Sequence, residues 1–369
     1  MAKSYVEFLR KIIHTMNEYR HARLVIPATN EPTLTPTIYF FTPDTNIPAG
    51  GVLVIYRHVD LLNSAGIRAF VLHQRRGFRC TWFANDTHVT DVKSARVGLG
   101  DLLVIPELDA SLLCDKPPGI RHVIFNQNSH LTWKRDAERV SRHYIKSPDL
   151  AGVIVVSDHN ANMLRYAFES LSVRRIHLSI DPTLFHLSDG SRVRRISYMP
   201  RRGGADAEKL FHLLRERGVL DDWEVVPLDG LTHSEVAEQL CTTRIFLAFT
   251  YQEGFGLPAA EAMACGNYVV GYHGFGGREF FLPEFSAPIE TGDILSFARA
   301  VEDAIVQDRA NPSWCLDRGR AASAFVLDKY SLERERNEVV GAYAELLDHS
   351  SASLVGADEC VMQSNQSSI

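Results

Sequence analysis

The sequence predicts an α/β protein of two parallel-sheet domains facing each other across a cleft. Three observations carry this. Short apolar runs alternate with amphipathic segments along most of the chain. A Pro-, Asp-, Gly- and Ser-containing break, DPTLFHLSDGS at 181–191, interrupts the alternation before a second series begins. And 369 residues exceed one compact core but suit two domains of ordinary size.

In chain order, the strand-like runs of the first series are TIYFFTP (37–43), IRAFVLH (67–73), DLLVIPE (101–107), RHVIFNQ (121–127) and GVIVVSD (152–158). The second series has RRISYMP (194–200), WEVVPLD (223–229), RIFLAF (244–249) and NYVVGYH (267–273). Continuous Val-, Ile- and Phe-rich runs closed by Gly, Pro, Asp or Asn suit strands covered on both faces, as in parallel sheets. Helical patterns fall between them, at 52–66, 158–171 and 207–218, and repeated strand–helix alternation implies right-handed crossovers. After Asp293 the chain reads as wholly helical. The expected domains are 1–185 and 186–330, with a helix at 331–349 that packs back on the first domain. The tail 350–369 is polar and aperiodic, which predicts disorder.

Composition narrows the function. Lys and Arg number 39 against 45 Asp and Glu, a net charge of −6, which argues against a nucleic-acid partner. No stretch reaches the roughly 18 apolar residues of a membrane span, and the first twenty residues lack the apolar core of a signal peptide. The six cysteines are scattered with no CxxC pair, excluding a zinc ribbon or disulfide scaffold and fitting a reducing cytoplasm. The apolar residues Val6, Phe8, Leu9, Ile12, Ile13 and Met16 lie among Lys3, Arg10 and Lys11. They could form an interfacial helix giving peripheral contact with the cytoplasmic face of a membrane, or a helix packed on the core. The second is favoured because acids interrupt the basic face.

The most informative stretch is 250–277, TYQEGFGLPAAEAMACGNYVVGYHGFGG. A strand ends, a glycine-rich turn follows, and a helix starts at Pro258, a residue favoured in the first helical turn. Gly254 and Gly256 let backbone amides approach a bound group while the helix points its positive end the same way, which is anion-binding geometry. Glu253 and Glu261 bracket the turn, and paired carboxylates suit the vicinal hydroxyls of a sugar or ribose. The bland alternative, two helix-capping acids, explains one of them and not the other.

The run EGFGLPAAEAMACGNYVV (253–270) resembles the signature of retaining, nucleotide-sugar-dependent glycosyltransferases of family 4, which have the two-domain GT-B fold. The glycine pair at Ala49-Gly50-Gly51, the linker IDPTLF (180–185) and GFGGREF (274–280) extend the likeness along the chain. The resemblance implies that Glu253 contacts the donor sugar and Glu261 the ribose hydroxyls, with the amides of Gly254, Phe255, Gly256 and Leu257 lining sugar and diphosphate. It also implies a pair of cations on the diphosphate.

A leaving diphosphate needs positive charge. Residues 191–204, SRVRRISYMPRRGG, hold five arginines and no acid. Arg201 and Arg202 follow the strand, at the end where ligands bind, and replace the family's more common Arg and Lys; arginine offers bidentate phosphate contacts. Arg192 is expected on a solvated basic edge. No DxD-type pair ends a strand, Asp221-Asp222 precedes one, and no His or Cys spacing suits a metal, so metal-independent catalysis with no cofactor beyond the donor is expected.

On the first domain, Gly50 and Gly51 sit before a helix starting near Val52, where the loop can approach the diphosphate. Glu107, Asn128 and His130 follow strand ends facing the cleft. Relatives often carry a histidine or an acid near position 128, so Asn128 leaves no obvious general base; a retaining front-face mechanism needs less of one. His58 and His273 read as structural. The candidate catalytic residues are thus Glu253, Arg201, Asn128 and His130. The partners are a nucleoside-diphosphate sugar and a carbohydrate or lipid-linked acceptor. Competing readings are a nucleotide-sugar epimerase, a dinucleotide oxidoreductase and a non-catalytic nucleotide-sugar-binding subunit. The oxidoreductase is disfavoured because its glycine turn should follow the first strand of a βαβ unit.

Overall fold

The computed structural model describes residues 26–32, 35–109, 112–113, 116–188, 190–201 and 203–348. The segment 1–25 with its interfacial-helix reading, Arg202, and the tail expected to be disordered lie outside these residues.

The strands in order are β1 (Ala28–Pro32), β2 (Ile38–Phe41), β3 (Ala69–His73), β4 (Val89–Asp91), β5 (Val97–Leu99), β6 (Leu102–Pro106), β7 (His122–Asn126), β8 (Leu150–Val155) and β9 (Val173–Arg175). They continue with β10 (Arg195–Tyr198), β11 (Glu224–Pro227), β12 (Ile245–Glu253), β13 (Tyr268–Phe275) and β14 (Ser286–Ile289). The helices are α1 (Gly50–Ser64), α2 (Ala137–Lys146), α3 (Asp158–Ala167), α4 (Gly204–Glu216), α5 (His233–Thr242), α6 (Leu257–Ala264), α7 (Ile294–Ala310), α8 (Trp314–Lys329) and α9, which covers 332–348.

Two large parallel sheets result, beside a two-stranded parallel pair of β1 and β5. The first has seven strands in the order β4-β3-β2-β6-β7-β8-β9, and the second has five in the order β11-β10-β12-β13-β14. Every residue of β2, β6 and β7 is buried, as strands flanked by helices on both faces require. The order reverses between β2 and β6 in one sheet and between β10 and β12 in the other. Connections leave in opposite directions at such points, opening a crevice at the carboxyl ends of the strands.

One hydrophobic cluster contains residues of both sheets, among them Phe40, Phe125, Phe246 and Val269, together with Val326, Tyr330, Val339 and Tyr343 from the end of the chain. The last helix lies against the first domain through more than apolar contact. Buried Glu335 pairs with Arg57 Nε at 3.1 Å and His58 Nε2 at 3.4 Å and accepts from the Ser179 amide. Burial alone would raise the Glu335 carboxyl, but Arg57, His58 and Ser179 together hold it below its ordinary value. His58, stacked on Phe125 at 5.0 Å, is therefore a buried structural group.

The basic run 191–204 divides. Arg192 is a correction to the sequence expectation: it is buried, and its guanidinium donates to the carbonyls of Leu240, Thr243 and Cys265. Those carbonyls end α5 and α6, and helix C-termini leave acceptors that need a donor. Arg194 bridges Asp222 and Asp308, and Arg195 pairs with Glu224. Among the described arginines of this run, Arg201 alone faces the cleft.

Candidate active site

The loops at the two reversal points meet. Arg201, just after β10, donates to the carbonyl of Pro48 at 2.6 Å, beside the start of α1. Gln127, after β7, donates from its side chain to the Gly51 carbonyl at 3.0 Å. The Asn128 side-chain Nδ2 donates to the Gln252 carbonyl at 3.2 Å, across the cleft. A Cβ added at Gly50 would lie 2.8 Å from Leu257 Cδ1, so the N-termini of α1 and α6 face one another.

Two helix starts differ slightly from expectation. α1 begins at Gly50 rather than near Val52, placing both glycines in its first turn, and α6 begins at Leu257 rather than Pro258. Neither helix has a side-chain cap or an acid in its first turn, and Gly256 enters α6 in the left-handed region at φ 99°. Amide N–H groups at both ends lack helical partners, and the macrodipoles add positive potential. With the Arg201 guanidinium beside them, they form a position suited to an anion.

Gly254 has a different reason for lacking a side chain than amide access alone. A Cβ there would stand 1.6 Å from the Gln127 carbonyl oxygen, so the glycine permits backbone contact between the domains. The expectation for Phe255 concerns its backbone amide, not its side chain. Its ring is buried against Phe280 and Tyr330 at 5.2 and 4.9 Å, leaving only its backbone to the loop.

Glu253 closes β12 in register with Phe275 and is half-buried. Glu261 on α6 is 7% exposed, and its Oε1 lies 3.3 Å from Nε2 of His233, the first residue of α5. The His233 ring meets Phe185 edge-on at 4.9 Å and Trp82 at 6.5 Å. Sequence reasoning did not single out His233. The only signal was the capping box Thr232–Glu235, which marks the helix start but not its neighbour.

Asn128 and His130 form one unit with groups the sequence did not connect. The Asn128 side chain accepts from the His130 amide at 3.2 Å while the backbone N–H of Asn128 donates to Glu107. Glu107 is buried and also accepts from the Gln127 amide at 3.1 Å; burial pushes its carboxyl up to about 7 despite those bonds. His130 stacks on His159, with Nε2 atoms 3.0 Å apart, and both rings lie against Phe275. Burial lowers both imidazoles, which favours a neutral pair sharing one proton. Phe275 sits at φ 69°, ψ −56°, a strained conformation for a residue with a side chain, and its amide donates to His273 Nδ1 at 3.0 Å. Among the described residues no group of three His, Cys, Asp or Glu is placed to hold a metal ion.

The chain resembles known proteins in sequence and in fold. Residues 202–313 match the family described as glycosyl transferases group 1. The chain is 25% identical over 315 residues to an alpha-1,6-glucosyltransferase of Actinobacillus pleuropneumoniae serotype 7 (strain AP76), covering 81% of this chain and 92% of the relative. Sucrose-phosphate synthase from Thermosynechococcus elongatus superposes with a TM-score of 0.64 at 16% identity, covering 85% of this chain and all of that one. Anabaena HepE, in complex with UDP and glucose, superposes with a TM-score of 0.59 at 12% identity, covering 85% of this chain and 100% of that chain. The fold is GT-B, and the family match with the Actinobacillus relative supports a glycosyltransferase of the group 1 type.

Proposed function

We propose that the chain transfers a hexosyl group from a nucleoside-diphosphate sugar to a carbohydrate or lipid-linked acceptor, with retention of configuration and without a metal. The observation that carries this reading is the convergence of Arg201 with the facing, acid-free N-termini of α1 and α6. That is where a diphosphate needs positive charge as its bond to the sugar breaks. Arg202, adjacent in sequence, is the second cation of this reading.

Glu261, oriented by His233, accepts from the ribose hydroxyls, and Glu253 from the hydroxyls of the sugar. The backbone amides of Gly254 to Leu257 donate to the diphosphate. The first domain takes the acceptor, with Asn128 and His130 at its edge of the cleft. In the front-face step the sugar C1–oxygen bond to the diphosphate breaks as the acceptor oxygen bonds to C1 from the same side. The acceptor's proton passes to the leaving phosphate oxygen, so no protein base is required. The name of the Actinobacillus relative supports glucose as the sugar, and the UDP bound to HepE supports a uridine donor. No described helix is long and apolar enough to cross a membrane. Contact with a lipid-linked acceptor on a cytoplasmic membrane face belongs to the same proposal.

A thermal-shift screen against UDP, GDP, ADP and TDP is the first test, since a ligand that binds the native state raises its melting temperature. A shift with UDP is expected, and no shift with any of the four goes against the reading. Turnover of UDP-glucose with the product's anomeric coupling read by NMR follows. A β-linked product would overturn retention, binding without turnover would indicate a regulatory subunit, and loss of activity in EDTA restored by manganese would overturn metal independence.

A further inference from the structure

Behind the cleft, two cysteines on neighbouring helices stand in contact. Cys241 lies on α5 and Cys265 caps the C-terminus of α6, with their sulfurs 3.9 Å apart and both thiols free. Cys265 is wholly buried, whereas Cys241 reaches the surface in part. The Arg192 guanidinium lies between the two helix ends, bonded to the carbonyls of Leu240 and Cys265. The contact with the Cys265 sulfur lowers the Cys241 thiol against the opposing effect of burial, and His186 and Arg192 add to the lowering. The same contact, with burial, pushes Cys265 up. An accessible, acidified thiol backed by a protonated one is the arrangement of a reactive cysteine and its resolving partner.

We propose that Cys241 and Cys265 are a redox pair, in which a hydroperoxide oxidises Cys241 and Cys265 resolves it into a disulfide joining α5 to α6. In the first step the Cys241 thiolate attacks hydrogen peroxide; the O–O bond breaks, giving the sulfenic acid and hydroxide, which takes up a proton to become water. In the second step the Cys265 sulfur bonds to Cys241, and the sulfenic hydroxyl leaves as water with the Cys265 proton. Two thiols and one peroxide thus become one disulfide and two waters. The sulfurs need to close from 3.9 Å to about 2.05 Å.

The position of the pair gives the disulfide a consequence. α5 and α6 already meet through His233 and Glu261, and the cysteines lie farther along both helices in the same direction. Cys265 is four residues, about one turn, beyond Glu261. Drawing the helices together there re-seats Glu261. This consequence rests on the assignment of Glu261 to the donor ribose; the disulfide itself does not.

The test treats the full chain with one equivalent of hydrogen peroxide, blocks remaining thiols with N-ethylmaleimide, and maps peptides without reductant. The expected result is a peptide pair joining Cys241 to Cys265, two hydrogens lighter than the separate thiols and released by dithiothreitol. In Cys265→Ala, with melting checked against the wild type, Cys241 is expected to stop at a sulfenic acid trapped by dimedone. Maleimide on both residues, or Cys241 advancing to the sulfinic acid beside a reduced Cys265, overturns the proposal. UDP calorimetry on the reduced and oxidised forms is expected to differ about fivefold or more, reversibly, as typical coupling between sites would give. Equal affinities overturn the coupling to the donor pocket. Absence of UDP binding to the reduced protein counts instead against the proposed function and leaves the peptide map standing.

Discussion

Replacing Gly254 by alanine probes the contact that brings the two domains together. The added Cβ would lie 1.6 Å from the Gln127 carbonyl oxygen, 2.7 Å from its carbon and 2.9 Å from Asn160 Nδ2. The first two are backbone atoms, and the Asn160 amide donates to that same carbonyl at 3.1 Å, so no side-chain rotation relieves the clash. Reaching ordinary contact at 3.4 Å requires about 1.8 Å of separation between the GFGLP turn and the loop after β7. Separation on that scale stretches the Asn128–Gln252 hydrogen bond beyond bonding range. Overpacking of this kind costs about 1–3 kcal/mol, which is roughly 5- to 150-fold in the population of the closed arrangement. Nucleoside-diphosphate affinity by calorimetry, with small-angle scattering on the same samples, reads the effect. Weaker binding and a larger radius of gyration are expected, with the unfolding transition still cooperative. A variant with wild-type affinity and radius would refute the contact between Gly254 and Gln127.

Glu261→Ala removes a carboxylate accepting from two ribose hydroxyls; at about 1.5–3 kcal/mol for charged hydrogen bonds, UDP should bind roughly 10- to 150-fold more weakly in calorimetry, and wild-type affinity would sink the assignment. Arg201→Ala should lower kcat about 100- to 1,000-fold with an unchanged Tm, whereas Arg192→Ala should lower stability by about 3 kcal/mol in urea melts, because three helix-end carbonyls lose a charged donor. The opposite pattern would reverse the division of the basic run. Glu107 has a folded value near 7 against an ordinary one near 4.5, so the native state holds a proton that the unfolded chain has released between those values. Its contribution to stability is therefore present below about pH 4.5 and is lost as pH rises through 7. Urea melts of Glu107→Gln across that window should show a shallower fall than wild type, and parallel profiles would contradict the shift.

How much of this was legible in the sequence depends on whether the signal was local. All nine apolar runs became strands, because continuous burial writes itself into consecutive residues. The strands β1, β4, β5, β9 and β14 escaped because three to five residues broken by polar residues, glycine or proline carry no readable period. The GFGLP turn was legible, since its glycines and Pro258 are fixed by local backbone geometry. What Gly254 makes room for was not, because its neighbour is Gln127, more than a hundred positions earlier. The His130–His159 stack, the His233–Glu261 contact and the Cys241–Cys265 pair are hidden for the same reason.

The arginine run shows where composition misleads. Its lack of acids suggests solvated arginines before the strand and diphosphate-binding ones after it, but pairing is decided by what the fold brings near. Asp222 and Asp308 reach Arg194, Glu224 reaches Arg195, and helix-end carbonyls surround Arg192. An acid-free stretch is thus not an unpaired one. The strand β10 divides it: arginines before the strand or at its first residue meet the acids and carbonyls at the sheet's amino edge, and Arg201 after it meets the cleft. Charge at the carboxyl edge of a parallel sheet is what a ligand encounters. The side of the strand on which an arginine lies is therefore a better guide to its role than the number of arginines in the run.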